Sequence, residues 1–110
     1  MADQPTSIAD SFPALQAAFQ PARAAGVDKT IQFDFSGREA GTWHMHVHDG
    51  TMDYGQGPAQ NPNATIGVDS DDWLSILSGA LNPVSAFMSG KVKVAGDMGL
   101  AMQFQNWFPR

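Results

Sequence analysis

The chain contains no cysteine, which excludes disulfides, thiolate nucleophiles and cysteine-bound metal clusters. Basic residues are scarce: six Lys+Arg stand against eleven Asp+Glu, giving a formal net charge of -5. No cationic run goes beyond Lys91 and Lys93. This excludes the phosphate-neutralising surface that a nucleic-acid partner requires, and the overall charge disfavours unaided docking on anionic lipid. No apolar run reaches the length of a bilayer span, so no integral membrane segment is expected. The stretch Met1-Ala2-Asp3-Gln4-Pro5 is acidic and has no apolar signal core. Trp107-Phe108-Pro109-Arg110 is no peroxisomal address. A soluble, cytoplasmic protein is the expectation. Catalytic motifs are missing too: no nucleophile-elbow serine, no phosphate loop, no pair of acids that spacing places in a cleft. Neither an enzyme activity nor a cofactor is expected. What remains is 110 residues, 43% hydrophobic and 15% charged, the composition of one domain over residues 1–110 with one modest core.

The apolar residues are periodic. Ile8, Phe12, Leu15 and Phe19 recur at spacings of four, three and four, the stripe of a core-facing helix. Pro13 predicts a kink or restart in it, Pro21 a turn, and Gly26 a stop. From Lys29 the period becomes two. Ile31, Phe33 and Phe35 alternate with polar residues in a first strand, and Trp43, Met45 and Val47 alternate with His44, His46 and His48 in a second. Asp49-Gly50 is a hairpin signal, after which Met52 and Tyr54 continue the apolar face. The loop Gly55 to Pro62 precedes a short strand over Ala64 to Val68. If the turns set the register, Phe35 faces Trp43, Phe33 faces Met45 and Ile31 faces Val47. One sheet face is then aromatic and methionine-rich. The other carries Gln32, Asp34, Asp53 and the histidines.

The rest of the chain is organised around the stretch from Asp72 to Phe104. Trp73 to Ser78 reads as a short helix stopped by Gly79. Asn82-Pro83 caps and starts a second, which Gly90 ends; Lys91 to Val94 alternates as a fifth strand; Asp97 caps a last helix through Met98, Leu100 and Met102. None of these helices is long enough to stand alone in water, so each must lie on the sheet. The fold class is therefore α+β: a five-stranded, mainly antiparallel sheet covered on one face by short helices.

Taken in order, several segments resemble the sterol carrier protein type 2 family of small lipid-binding domains. They are Ile31-Gln32-Phe33-Asp34-Phe35 with Gly37, Gly41 with Trp43, Asp49-Gly50, Pro62 to Ile66, Gly79 with Leu81-Asn82-Pro83, Ala86-Phe87-Met88 with Gly90 to Val94, and Gly96-Asp97-Met98 with Leu100-Ala101-Met102. The resemblance implies an apolar tunnel between sheet and helices. It also implies non-catalytic binding or transfer of a fatty acid, fatty acyl-CoA, phospholipid or sterol-like ligand. The candidate lining is Phe33, Phe35, Trp43, Met45 and Ile66 from the sheet, with Trp73, Leu77, Phe87, Met88, Met98, Met102 and Phe104 from the helices. Methionine suits such a wall, because its unbranched thioether repacks around a flexible chain. The same residues could equally fill a solid core. The segment Met98 to Phe108 is a candidate lid or a plain docked terminal helix. Trp107 and Phe108 are candidates for its closing contacts or for transient contact with a membrane or an enzyme.

Two rival readings come from other classes. The apolar faces could serve an accessory module or a homodimer with no ligand of its own. Alternatively, His44, His46 and His48 share one strand face, a spacing at which two imidazoles chelate zinc or copper. Pairing would set Asp34 beside His44 and Asp53 beside His46. The plainer account is a solvated outer face of histidines paired with acids.

Overall fold

The computed structural model of the protein describes residues 7–104. Helix α1 (Ile8–Ala18) leads through a 3-10 turn (Pro21–Ala24) into β1 (Lys29–Ser36). A second 3-10 turn (Gly37–Glu39) connects to β2 (Gly41–His48), followed by β3 (Thr51–Gln56) and β4 (Ala64–Asp69). Then come α2 (Ser70–Ser78), α3 (Pro83–Met88), β5 (Val92–Gly96) and α4 (Met98–Phe104). The strands form one sheet in the order β3-β2-β1-β4-β5. All neighbours are antiparallel except β1 and β4, which run parallel. This is the expected α+β sheet with helices packed on it.

The helix boundaries follow from local chemistry. Ser7 caps α1 by accepting from the Asp10 amide, Asp69 caps α2 by accepting from Asp71, and Asn82 caps α3 by accepting from Val84 and Ser85. Asp97 accepts from the Leu100 amide at 3.0 Å and so starts α4. Gly79 ends α2 in the left-handed region at φ 86°, which a side chain rarely adopts. Helix α1 runs unbroken through Pro13, so the expected restart does not occur. Pro13 is exposed beside the buried Phe12, so its ring lies on the solvent side and not in the core, and the helix forgoes only the one bond to the Ala9 carbonyl.

One expectation needs correction. β1 pairs with β2 as Phe33 with Trp43, Ile31 with Met45, Lys29 with Val47, and Phe35 with Gly41. This lies two residues from the register expected. The 3-10 turn over Gly37–Glu39 centres the hairpin on Arg38, one position earlier than a turn spread over Gly37 to Gly41. A shift of two leaves every side chain on its expected face, so the inward set survives. On the outer face Gln32 lies opposite His44, and Asp34 lies opposite Thr42. Asp53 lies opposite His46 as expected.

Under the β1–β3 half of the sheet the core is solid. Phe12 from α1 is fully buried at 0% exposure. It stacks on Trp43 at 4.9 Å and meets Tyr54 at 5.7 Å, Phe33 at 5.5 Å and Phe35 at 6.2 Å. Met45, Val47 and Met52 complete this half.

Candidate functional site

The β4–β5 half is built differently. α2 leans on β4, α3 on β5, and α4 on both. Short helices set by the Asn82 and Asp97 caps straddle the sheet edge without closing on it. Beneath them lies a cavity of about 740 Å³, within the usual range of roughly 300–1,000 Å³ for small-molecule sites. Its floor is Ile66 and Val68 of β4 with Val92 and Val94 of β5. Trp73, Ile76 and Leu77 of α2 form one wall, and Leu15 of α1 reaches in from the core side. Pro83, Val84, Phe87 and Met88 of α3 face Met98, Ala101, Met102 and Phe104 of α4.

Trp73 is the partition between the two halves. Its indole N–H donates to Ser11 Oγ at 3.1 Å, and Ser11 in turn donates to the Ile8 carbonyl at 2.6 Å. Both side chains are buried, and this chain satisfies their polar atoms. The ring is thereby fixed with Phe33, Phe35 and Phe12 on one side and the cavity on the other.

Of the residues named from the sequence, Ile66, Trp73, Leu77, Phe87, Met88, Met98, Met102 and Phe104 are brought together around the cavity. Phe33, Phe35, Trp43 and Met45 are placed elsewhere, in the solid half. The physical reason is α1. Phe12 inserts into the aromatic face of β1–β3 and packs against its rings, so these four side chains meet α1 and not the cavity. Trp107 and Phe108 lie outside the described residues. Within α4, Leu100 and Phe104 are buried on the core, which anchors this helix through its inner side.

Sequence reasoning missed several lining residues. Val92 and Val94 carried a signal, since they alternate with Lys91 and Lys93 and had to face inward. Pro83 and Val84 follow directly from the Asn82 cap. Arg23 had none, because it lies on the 3-10 turn after Pro21 and is far in sequence from everything else on the wall. Among the described residues it is the one charged residue of the lining. No acid among the described residues pairs with it.

On the opposite face of the sheet the histidines hold acids. His46 Nε2 lies 2.7 Å from Asp28, and His48 Nε2 lies 2.7 Å from Asp53, with Asp49 at 3.4 Å from Nδ1. His44 Nδ1 contacts the Gly57 carbonyl at 3.0 Å. Among the described residues no group of three or more His, Asp or Glu is arranged to hold a metal ion. Hydrogen bonds to Asp53 and then Asp49 raise the His48 pKa above the usual imidazole range. The hydrogen bond from His46 lowers that of Asp28 below the usual carboxylate range.

Because the folded state binds the His48 proton more tightly, this contribution to stability is full below about pH 6.5, the unfolded imidazole value. It is lost as the pH rises above that through the raised folded value. Melting curves from pH 5.5 to 9 should therefore show the wild-type advantage over His48→Gln shrinking with rising pH. An advantage that grows toward pH 9 would contradict the pairing.

The fold and the partly open cavity define a small α+β domain of the sterol-carrier kind. The chain belongs to the SCP-2 sterol transfer family, whose model matches residues 12–109. Among curated proteins it is similar to hydroxysteroid dehydrogenase-like protein 2 of Xenopus tropicalis, 31% identical over 99 residues. That match covers 89% of this chain and 24% of the relative. The chain thus spans about a quarter of the length of such relatives, which carry the region within larger proteins. Among solved structures it resembles palmitated SCP2L2 from Aedes aegypti, with a TM-score of 0.77, 23% identity, and coverage of 92% of this chain and 93% of that one. It also matches part of the inverting sec-alkylsulfatase Pisa1 from Pseudomonas sp., with a TM-score of 0.81, 19% identity, and coverage of 91% and 16%.

Proposed function

We propose that the protein holds a single apolar chain, a fatty acid or the acyl part of a larger lipid, in the cavity between β4–β5 and α2–α4. Its task is to shelter and hand on that lipid, without making or breaking a bond in it. The observation that carries this reading is a cavity of about 740 Å³ walled almost wholly by Met, Val, Leu, Ile and aromatic side chains, in a member of a family of lipid carriers. Burying each CH₂ contributes about 0.8 kcal/mol. Roughly ten buried carbons then offset an association cost on the order of 4–15 kcal/mol. The palmitated neighbour of the same fold supports a straight acyl chain as the first ligand to try. The test is a titration of delipidated protein with palmitate, followed by tryptophan fluorescence and native mass spectrometry. One palmitate per chain is expected. A mass that stays bare across palmitate, palmitoyl-CoA and phospholipid would overturn the reading.

Arg23, the one charged residue among the described lining, supports a reading in which it meets the polar end of the ligand. A carboxylate there gains a charge-assisted hydrogen bond, worth about 1 kcal/mol at so exposed a position. Arg23→Gln should therefore weaken palmitate binding by about fivefold and leave hexadecanol binding unchanged. An equal loss for both ligands would remove Arg23 from this role.

A second reading rests on the relatives' length. Since they carry this region as about a quarter of a larger protein, this reading makes the domain an accessory module that presents lipid to an enzyme. A catalytic partner is part of that proposal alone.

A further inference from the structure

The chain has six methionines and no cysteine. With no thiol to react first, the thioethers are its softest targets for a peroxide. Those among the described residues fall into two sets. Met45 and Met52, in the solid half, are 0% and 2% exposed. Met88, Met98 and Met102 are 80%, 47% and 56% exposed, and all three belong to the cavity wall. Met88 ends α3, while Met98 and Met102 stand four residues apart on α4, the spacing that sets two side chains on one helix face. Leu100 and Phe104 anchor the other side of α4 in the core, so the helix does not depend on its methionines for its seat. The wall has little to offer an added oxygen. Among the described lining side chains only Trp73 and Arg23 carry N–H donors. The Trp73 N–H is given to Ser11, and Arg23 stands on the 3-10 turn, outside α3 and α4.

We propose that Met88, Met98 and Met102 are sulfoxidation sites through which a peroxide sets the affinity of the cavity for its ligand. The proposal rests on the cavity being a lipid site. In the step itself a sulfur lone pair attacks one oxygen of hydrogen peroxide. An S–O bond forms as the O–O bond breaks, the sulfur is oxidised by two electrons, and the second oxygen leaves as water. A soft apolar wall becomes a polar, hydrogen-bond-accepting one. Without ligand, a sulfoxide at so exposed a position is hydrated and the fold does not feel it. A bound acyl chain displaces that water and leaves the sulfoxide oxygen against methylenes, the unfavourable case of a polar group without a partner. Oxidation therefore weakens the complex and spares the fold, because burial keeps peroxide from Met45 and Met52. Conversely, a ligand that covers the three sulfurs shields them. A thiol-dependent methionine sulfoxide reductase reverses the change, its dithiol going to the disulfide and the oxygen leaving as water.

The experiment treats the untagged, delipidated chain with hydrogen peroxide, reads each methionine by peptide mass mapping, and then titrates palmitate. Met88, Met98 and Met102 are expected to be oxidised well before Met45 and Met52. Palmitate binding should then be about tenfold weaker, with the circular dichroism and melting temperature of untreated protein. Saturation with palmitate beforehand should slow oxidation of the three, and sulfoxide reductase with dithiothreitol should restore the affinity. The triple variant Met88→Leu, Met98→Leu, Met102→Leu should bind palmitate as wild type does and lose nothing on the same treatment. Met102→Gln, which places a polar side chain of similar length on the wall without peroxide, should weaken palmitate binding in the same direction. Equal oxidation of the two sets, or undiminished affinity once the three are oxidised, overturns the proposal. So does a triple leucine variant that loses as much affinity as wild type, since the damage then lies at other residues. Untreated protein that takes no palmitate overturns the cavity reading and this proposal together. Untreated protein that binds, with affinity unchanged by oxidation, removes the methionine sites alone.

Discussion

Phe12→Ala is expected to cost about 3–5 kcal/mol, the range for deleting a fully buried phenylalanine. Phe12 has no exposed surface and contacts rings from β1, β2, β3 and α2. Truncating it opens a void at the centre of the packing that fastens α1 to the sheet, between the buried Ile8 and Leu15. The surrounding rings are held by β-strand pairing, so they cannot collapse to refill it. Domains of this size have about 5–15 kcal/mol in hand, so the variant should melt about 15 °C or more below wild type. Thermal unfolding followed by circular dichroism checks this. A drop of only a few degrees would show that the β1–β3 half is not the solid core described above, and would reopen it as ligand space.

The second large effect is on binding. Ala101→Trp should weaken palmitate binding by about 100-fold, with a melting temperature near that of wild type. Ala101 is half-buried on α4 and forms part of the cavity wall, so an indole there has open space to enter, and the usual strain of overpacking is small. It would displace about four CH₂ groups of the ligand, roughly 3 kcal/mol of lost burial. Ala101 is a better plug than Met102, which is more than half exposed at the rim and would carry a tryptophan toward solvent. Isothermal titration of the folded variant decides the matter. Unchanged affinity would place the ligand outside this cavity.

Most of the architecture was legible because its signals are local. The switch from helical to alternating spacing at Lys29, the Asp49-Gly50 hairpin, the Asn82 and Asp97 caps and the Gly79 stop each act within a few residues of themselves. The strand register failed by two because the Gly37–Glu39 turn has no sequence mark that fixes its centre. The lining was half legible. An inward-facing position on a strand says only that a side chain is covered, not by what. Phe33 and Val94 have the same pattern; one lies under Phe12 and the other over empty space, and the placement of α1 decides between them. Arg23 illustrates the limit more sharply, since a turn residue meets the wall only through the path of the whole chain.

The methionines offer the most direct test of the central claim. With methyl-13C methionine, palmitate should shift the signals of Met88, Met98 and Met102, which surround the cavity. Those of Met45 and Met52, buried in the solid half, should stay in place. Contacts between the palmitate chain and the first three methyls would then locate the ligand between α3, α4 and the β4–β5 floor. Signals that move at Met45 and Met52 while the other three stay still would contradict the account, placing the lipid under β1–β3 and making the cavity described here a bystander.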